Sequence, residues 1–145
     1  MEEASAKHAT ELAYLNVGGK KYITNFETLV RSKSSYFNSI MRIDRNSGRV
    51  LLFLRSCLVD KEGAIFINRD GDLFAYVLQF MRDGRRAALP ENKCLLKQLI
   101  REAEFFGMES WKDTLMEQLQ IVDRKENEVT MNSTCLKLYE LLQIL

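Results

Sequence analysis

Two β-prone runs, Leu12-Ala13-Tyr14-Leu15-Asn16-Val17 and Lys21-Tyr22-Ile23-Thr24, flank the pair Gly18-Gly19. A tight two-residue turn between strands needs positive φ, which glycine reaches without steric cost, so the pattern predicts a β-hairpin. The period then changes. Phe26, Leu29 and Val30 suit a short helix, and Thr24 with Glu27 three residues later matches a capping box at its start. Tyr36, Phe37, Ile40 and Met41 predict a second helix capped by Ser34 or Ser35. Arg45-Asn46-Ser47-Gly48-Arg49 is a turn cluster. Val50–Leu54, with Leu58 and Val59, is too short an apolar run for periodicity to separate strand from helix. After the turn Lys61-Glu62-Gly63, Ala64–Ile67 reads as a strand.

The second half is helical in pattern. Leu73, Phe74, Val77, Leu78 and Met81 place a wide apolar stripe on a helix over Gly71–Arg82, which Asp83-Gly84 ends. Leu95, Leu96, Leu99, Ile100, Ala103 and Phe106 do the same over Glu91–Phe106, with Gly107 as the stop. Ser110 is placed to cap a last helix carrying Trp111, Leu115, Met116 and Leu119. A hairpin, then helices, a strand and more helices suggest α+β packing rather than a doubly wound parallel sheet. The expected organisation is a disordered arm over residues 1–11, one domain over 12–120, and a tail over 121–145. In the tail, the charged linker Asp123–Glu128 precedes an amphipathic helix. Met131, Cys135, Leu138, Leu142 and Leu145 recur there at heptad spacing, over fewer heptads than a coiled coil needs to be safely read. Docking of that helix on the domain is the simpler expectation.

Composition narrows the function classes. Hydrophobic residues are 46% of 145, enough for one packed domain. A net charge of +1 implies no bulk attraction to nucleic acid or membrane. Val50–Leu54 is stopped by Arg55, far short of the about 20 apolar residues of a spanning helix. The polar start, Met1–His8, lacks an apolar signal core, and Cys57, Cys94 and Cys135 are an odd, scattered set. Both features lead to the expectation of reduced thiols and a cytoplasmic location. The single histidine, His8, lies in the arm, so no His-assisted nucleophile and no metal site are expected. Gly18-Gly19 is followed by a strand and no Gly-Lys-Ser/Thr, so it is not a phosphate loop. Glu102 and Glu104 flank Ala103 and cannot share a helix face. No enzyme and no cofactor are expected.

Four stretches in order carry a resemblance: the hairpin Leu15–Thr24; Ile65-Phe66-Ile67-Asn68-Arg69-Asp70-Gly71-Asp72-Leu73-Phe74; the aromatic helix Phe74–Met81 ending in Arg82-Asp83-Gly84 before Pro90; and Arg101-Glu102-Ala103-Glu104-Phe105-Phe106-Gly107-Met108. Together they resemble the BTB/POZ domain of the potassium-channel tetramerisation type, the group that includes the KCTD proteins. The chain departs from that pattern in Ser32-Lys33-Ser34-Ser35, which has no proline, in Asn68 at the strand end, and in the apolar stretch 42–62. The resemblance implies an interaction module that closes into a ring of four or five copies, and an adaptor that recruits the cullin scaffold of a RING ubiquitin ligase to an unknown protein substrate. The alternative it admits is a non-enzymatic subunit that modifies the assembly of ion-channel or sibling tetramerisation-domain proteins. It implies a subunit contact at Arg69 and Asp70, where the bland alternative is a capping Asp70 or Asp72 beside a solvated Arg69. It implies a cullin contact near Phe37, a residue that could equally be core. Of the adjacent Phe105 and Phe106, one is expected in the core and the other at a surface.

Overall fold

The computed structural model describes residues 4–144. Two sheets and five helices pack as α+β. Strand β2 (Leu12–Val17) and strand β3 (Lys20–Asn25) form the expected antiparallel hairpin, with Val17 opposite Lys20. Gly18 and Gly19 take φ of 58° and 100° in its turn. Helix α1 (Phe26–Val30) follows, capped by Asn25, whose side chain accepts from the Thr28 N–H. No capping box forms at Thr24, which is buried opposite Ala13 in the ladder; the cap is Asn25, one residue later, and its side chain also accepts from the Thr28 hydroxyl. Ser34 caps helix α2 (Ser35–Ile40) by accepting from the Phe37 N–H, and its own hydroxyl donates to the Phe106 carbonyl.

The stretch left open over 42–62 resolves as strand. Strand β4 (Met41–Ile43) pairs with β5 (Val50–Phe53); a 3-10 turn over Leu54–Ser56 leads to β6 (Leu58–Val59). Strand β7 (Ile65–Ile67) runs parallel to β2, with Leu15 opposite Ile65, and antiparallel to β6. The larger sheet therefore has the order β3-β2-β7-β6. The smaller one corrects the expected disordered arm. Of that arm, residues 1–3 lie outside the described residues, but Ala4–Lys7 is strand β1, with Ala4 opposite Phe53 and Lys7 opposite Val50. Backbone hydrogen bonds hold it, and no residue of β1 is buried, so it carries no apolar pattern by which to find it.

Helices α3 (Gly71–Asp83), α4 (Lys93–Phe106) and α5 (Glu109–Ile144) follow. Ala13, Leu15, Val17, Ile65 and Ile67 on the sheet meet Phe74, Val77, Leu96, Leu99, Phe106, Trp111 and Leu115 in one core. Gly107, at φ 64°, ends α4 as expected. The charged linker over 123–128 is not a break: α5 runs through it as 36 continuous helical residues, about 54 Å at 1.5 Å per residue. Lys93 of α4 pairs with both Asp123 and Glu126 there, so the charged residues tie the helix down rather than interrupt it. The expected docking of the terminal segment also fails. Every residue from Arg124 to Ile144 is exposed, while Leu145 lies outside the described residues.

Candidate interaction surface

The two glycine-marked stretches of the sequence meet in space. The Gly18 N–H donates to the Ile67 carbonyl at 3.0 Å, and the Tyr22 hydroxyl donates to the Gly71 carbonyl at 2.6 Å. At the turn between β7 and α3, one carboxylate oxygen of Asp70 accepts from the N–H groups of Asp72 and Leu73. Asp70 is thus the helix cap, a placement that puts a negative charge at the positive end of α3. Lys20 pairs with Asp72 at 3.2 Å beside it, on the open surface.

Arg69 is not solvated. Its Nε donates to Oε2 of Glu102 at 3.1 Å, and its Nη2 donates to Oε1, a two-point ion pair between the turn and α4. The Glu102 side chain is 5% exposed and the Arg69 side chain 30%. Sequence reasoning passed over Glu102, although a signal was there. It follows Leu99 by three and precedes Phe106 by four, which places it on the buried stripe of α4. A carboxylate on such a stripe needs a cation, and Arg69 supplies it.

The guanidinium of Arg69 also lies 4.6 Å from the centroid of Phe105, within cation–π reach. Phe105 is 41% exposed and Phe106 is fully buried, the division expected of two adjacent aromatics on one helix. Phe105 and Tyr36 rings are 5.2 Å apart, and Tyr36 in turn neighbours Cys57. Burial pushes both the Tyr36 phenol and the Cys57 thiol above their ordinary values, so each is neutral near pH 7. Leu54, whose carbonyl accepts from the Cys57 thiol, is exposed next to them. Arg69, Phe105, Tyr36, Cys57 and Leu54 thus form one aromatic ledge with a charged margin. The expected pairing of Arg69 with Asp70 at one surface splits into a ledge residue and a helix cap.

Phe37 is misplaced by the sequence expectation. It is 0% exposed and stacks on Phe106 with centroids 5.9 Å apart, so it has no free surface to offer a partner. Its neighbour Tyr36 takes the outward position on α2. A second apolar area lies on the outer face of the larger sheet. Tyr14 and Ile23 are cross-strand partners there, both about half exposed, with Leu12 beside them. Lys21–Glu62 and Asn16–Asp60 contacts border it. Asn16 donates to Asp60 at 2.9 Å, and the backbone N–H of Ala64 donates to the same carboxyl, holding it below the usual carboxylate range. Among the described residues there is no metal-ligating cluster, and no helix is long and apolar enough to cross a membrane.

The sequence matches the BTB/POZ domain family over residues 13–119, from the hairpin to the first turns of α5. The chain belongs to the BTB/POZ family, in its potassium-channel tetramerisation type. A BTB/POZ domain is a protein-interaction module, and BTB domains oligomerise. The chain is 31% identical over 127 residues to the FH protein interacting protein FIP2 of Arabidopsis thaliana, covering 87% of this chain and 39% of that protein. It is 35% identical over 113 residues to SH3KBP1-binding protein 1 of Bos taurus, covering 78% of this chain and 14% of that protein. It is 37% identical over 105 residues to the BTB/POZ domain-containing protein KCTD3 of Homo sapiens, covering 72% of this chain and 11% of that protein. The chain therefore spans well under half the length of these relatives.

Proposed function

We propose that this BTB/POZ chain closes into a ring of four or five copies and serves as an adaptor that recruits the cullin scaffold of a RING ubiquitin ligase. The observation that carries the self-association is the ledge of Phe105 and Tyr36 with Arg69 at its margin. An aromatic centre with Phe105 exposed and Tyr36 half-buried beside it, next to charged groups, has the composition of an interface. Arg69 belongs to this contact, while Asp70 caps α3. A head-to-tail contact between unlike faces closes as a ring or runs on as a filament. The outer sheet face around Tyr14 and Ile23 is a second face of suitable chemistry.

Support for the cullin role is the family membership alone, so its contact is assigned to exposed residues of the 42–62 segment. Leu58 and Val59 on the edge strand β6 replace Phe37 in that role. The alternative, a subunit that modifies assembly of ion-channel or sibling tetramerisation-domain proteins, uses the same ledge to take in a related domain instead of a copy.

Light scattering of the purified chain, alone and with a cullin N-terminal domain, tests the proposal. A mass of four or five copies that falls to one in Phe105→Ser supports the ring. A concentration-independent monomer at micromolar levels sinks it. Cullin binding that is lost in Leu58→Asp/Val59→Asp supports the adaptor. A ring that ignores cullin and takes up a sibling domain leaves the assembly modifier.

A further inference from the structure

The exposed end of α5 carries an apolar line that its own domain cannot reach. Trp111, Leu115 and Val122 are the buried residues of this helix, and they fix the face turned to the domain. Met131 follows Val122 by nine residues, two and a half turns at 3.6 residues per turn, so it lies about 180° away. Met131, Cys135, Leu138 and Leu142 then recur at 4, 3 and 4, along the side facing away from the domain. Met131, Leu138 and Leu142 are all more than half exposed. Covering this line from within the chain would require breaking the helix.

The charge pattern selects the occupant. From Arg124 to Ile144 the cations Arg124, Lys125 and Lys137 balance Glu126, Glu128 and Glu140, so nothing draws the segment to an anionic lipid surface. Glu128, three residues before Met131, stands in the same phase and bounds the line, so the seam starts at Met131; within it the flanking positions Asn132, Thr134, Tyr139 and Leu141 carry no charge. Identical helices can therefore meet from Met131 onward without like-charge repulsion, and Tyr139 and Leu141 widen the contact. The line itself is self-complementary, as a heptad seam is.

We propose that residues 131–142 form a parallel coiled-coil seam between copies of this chain, outside the BTB/POZ domain proper. The parallel sense rests on the ring reading, since cyclic symmetry gives every α5 the same sense along the ring axis. Two heptads are too few to hold copies together alone. In a ring, however, the neighbouring helices are at an effective concentration on the order of millimolar, which makes a short seam sufficient. The seam locks an assembly that the domain starts.

In a parallel seam in register, the Cys135 thiols of two copies share one layer, so oxidative cross-linking reads the geometry. The full chain with Cys57→Ser and Cys94→Ser is treated with diamide, which takes two electrons and two protons from a thiol pair as it is reduced to the hydrazine. Non-reducing gels follow the covalent dimer. Cross-linking through Cys135 should run at least about ten times faster than through a thiol placed off the seam by Lys137→Cys in a Cys135→Ser background. Leu138→Asp/Leu142→Asp should abolish the difference without altering the domain's melting temperature, because both side chains are exposed in the single chain. Equal rates for the two thiols overturn the seam. Light scattering on the same samples separates the readings. A multi-copy mass with equal rates removes the seam and leaves the ring. A monomer mass removes the ring and with it the seam, which two heptads cannot hold alone, whatever the rates.

Discussion

Gly18 and Gly71 interlock. A Cβ on Gly18 would stand 2.3 Å from the Arg69 carbonyl oxygen, and a Cβ on Gly71 would stand 2.4 Å from the Val17 carbonyl oxygen and 2.6 Å from Lys20 Cβ. The hairpin turn and the turn before α3 are thus pressed backbone to backbone, and each glycine makes room for the other turn. Gly18→Ala meets both the clash and a φ of 58°, so a loss on the order of 3 kcal/mol or more is expected. Gly71→Ala has no positive φ to accommodate and should cost about 1–3 kcal/mol through the clash alone. Urea denaturation midpoints check both. A Gly71→Ala variant as stable as the parent would show that the two turns can slide apart freely.

The ion pair between Arg69 and Glu102 predicts an asymmetry. Arg69→Ala strands a buried carboxylate and should destabilise by about 2 kcal/mol, less than for a fully buried pair because the guanidinium keeps some solvent. The double change Arg69→Met/Glu102→Leu should recover most of that stability, since neither charge is left unpaired. Thermal melts of the single and double variants provide the comparison, and a double variant no better than Arg69→Ala would contradict it. The pair also separates fold from assembly. If Arg69 serves the ring, the double variant should be folded yet of lower mass by light scattering.

Phe37→Ala should behave as a core deletion. The ring is buried among Phe106, Tyr36 and their neighbours, so a loss of about 3–5 kcal/mol is expected. Tyr36→Ala, on the outward side of the same helix, should cost less stability and act on association instead. Measuring melting temperature and mass for both variants distinguishes them; a Phe37→Ala chain with unchanged melting temperature would move this residue out of the core.

Asp60 gives a pH prediction. The Asn16 amide, then the Ala64 and Glu62 N–H groups, stabilise its ionised form and lower its folded-state pKa below 3.8. A depressed carboxylate contributes stability that is fully present above the unfolded-state pKa and is lost as pH falls through the folded-state value. Wild type should therefore exceed Asp60→Asn in stability near neutral pH, with the gap shrinking as pH drops below about 4. Denaturation curves at several pH values test this. A gap that is constant from pH 7 to pH 2 would mean that the carboxylate charge plays no part.

The hairpin, the strand Ile65–Ile67 and helices α3 and α4 were legible because each has its own period and punctuation: Gly18-Gly19, Asp70-Gly71, Asp83-Gly84, Gly107. These signals are local, and local geometry sets them. The linked order of four such stretches was enough to identify the family. Other features needed the folded chain. Strand β1 exists only because β5 offers a free edge, and backbone pairing leaves no mark on side-chain pattern. Whether Phe37 or Tyr36 faces outward depends on how α2 is turned against Phe106, a contact 69 residues away from Phe37 in sequence by the residue numbers. Arg69 finds Glu102 33 residues away. The tail shows both sides of the division. The sequence contained the heptad line of α5, but only the placement of Trp111 and Val122 against the core decided that this line points away from the domain. A helix carries its phase unbroken along its length, so docking one end fixes the direction of every residue beyond it.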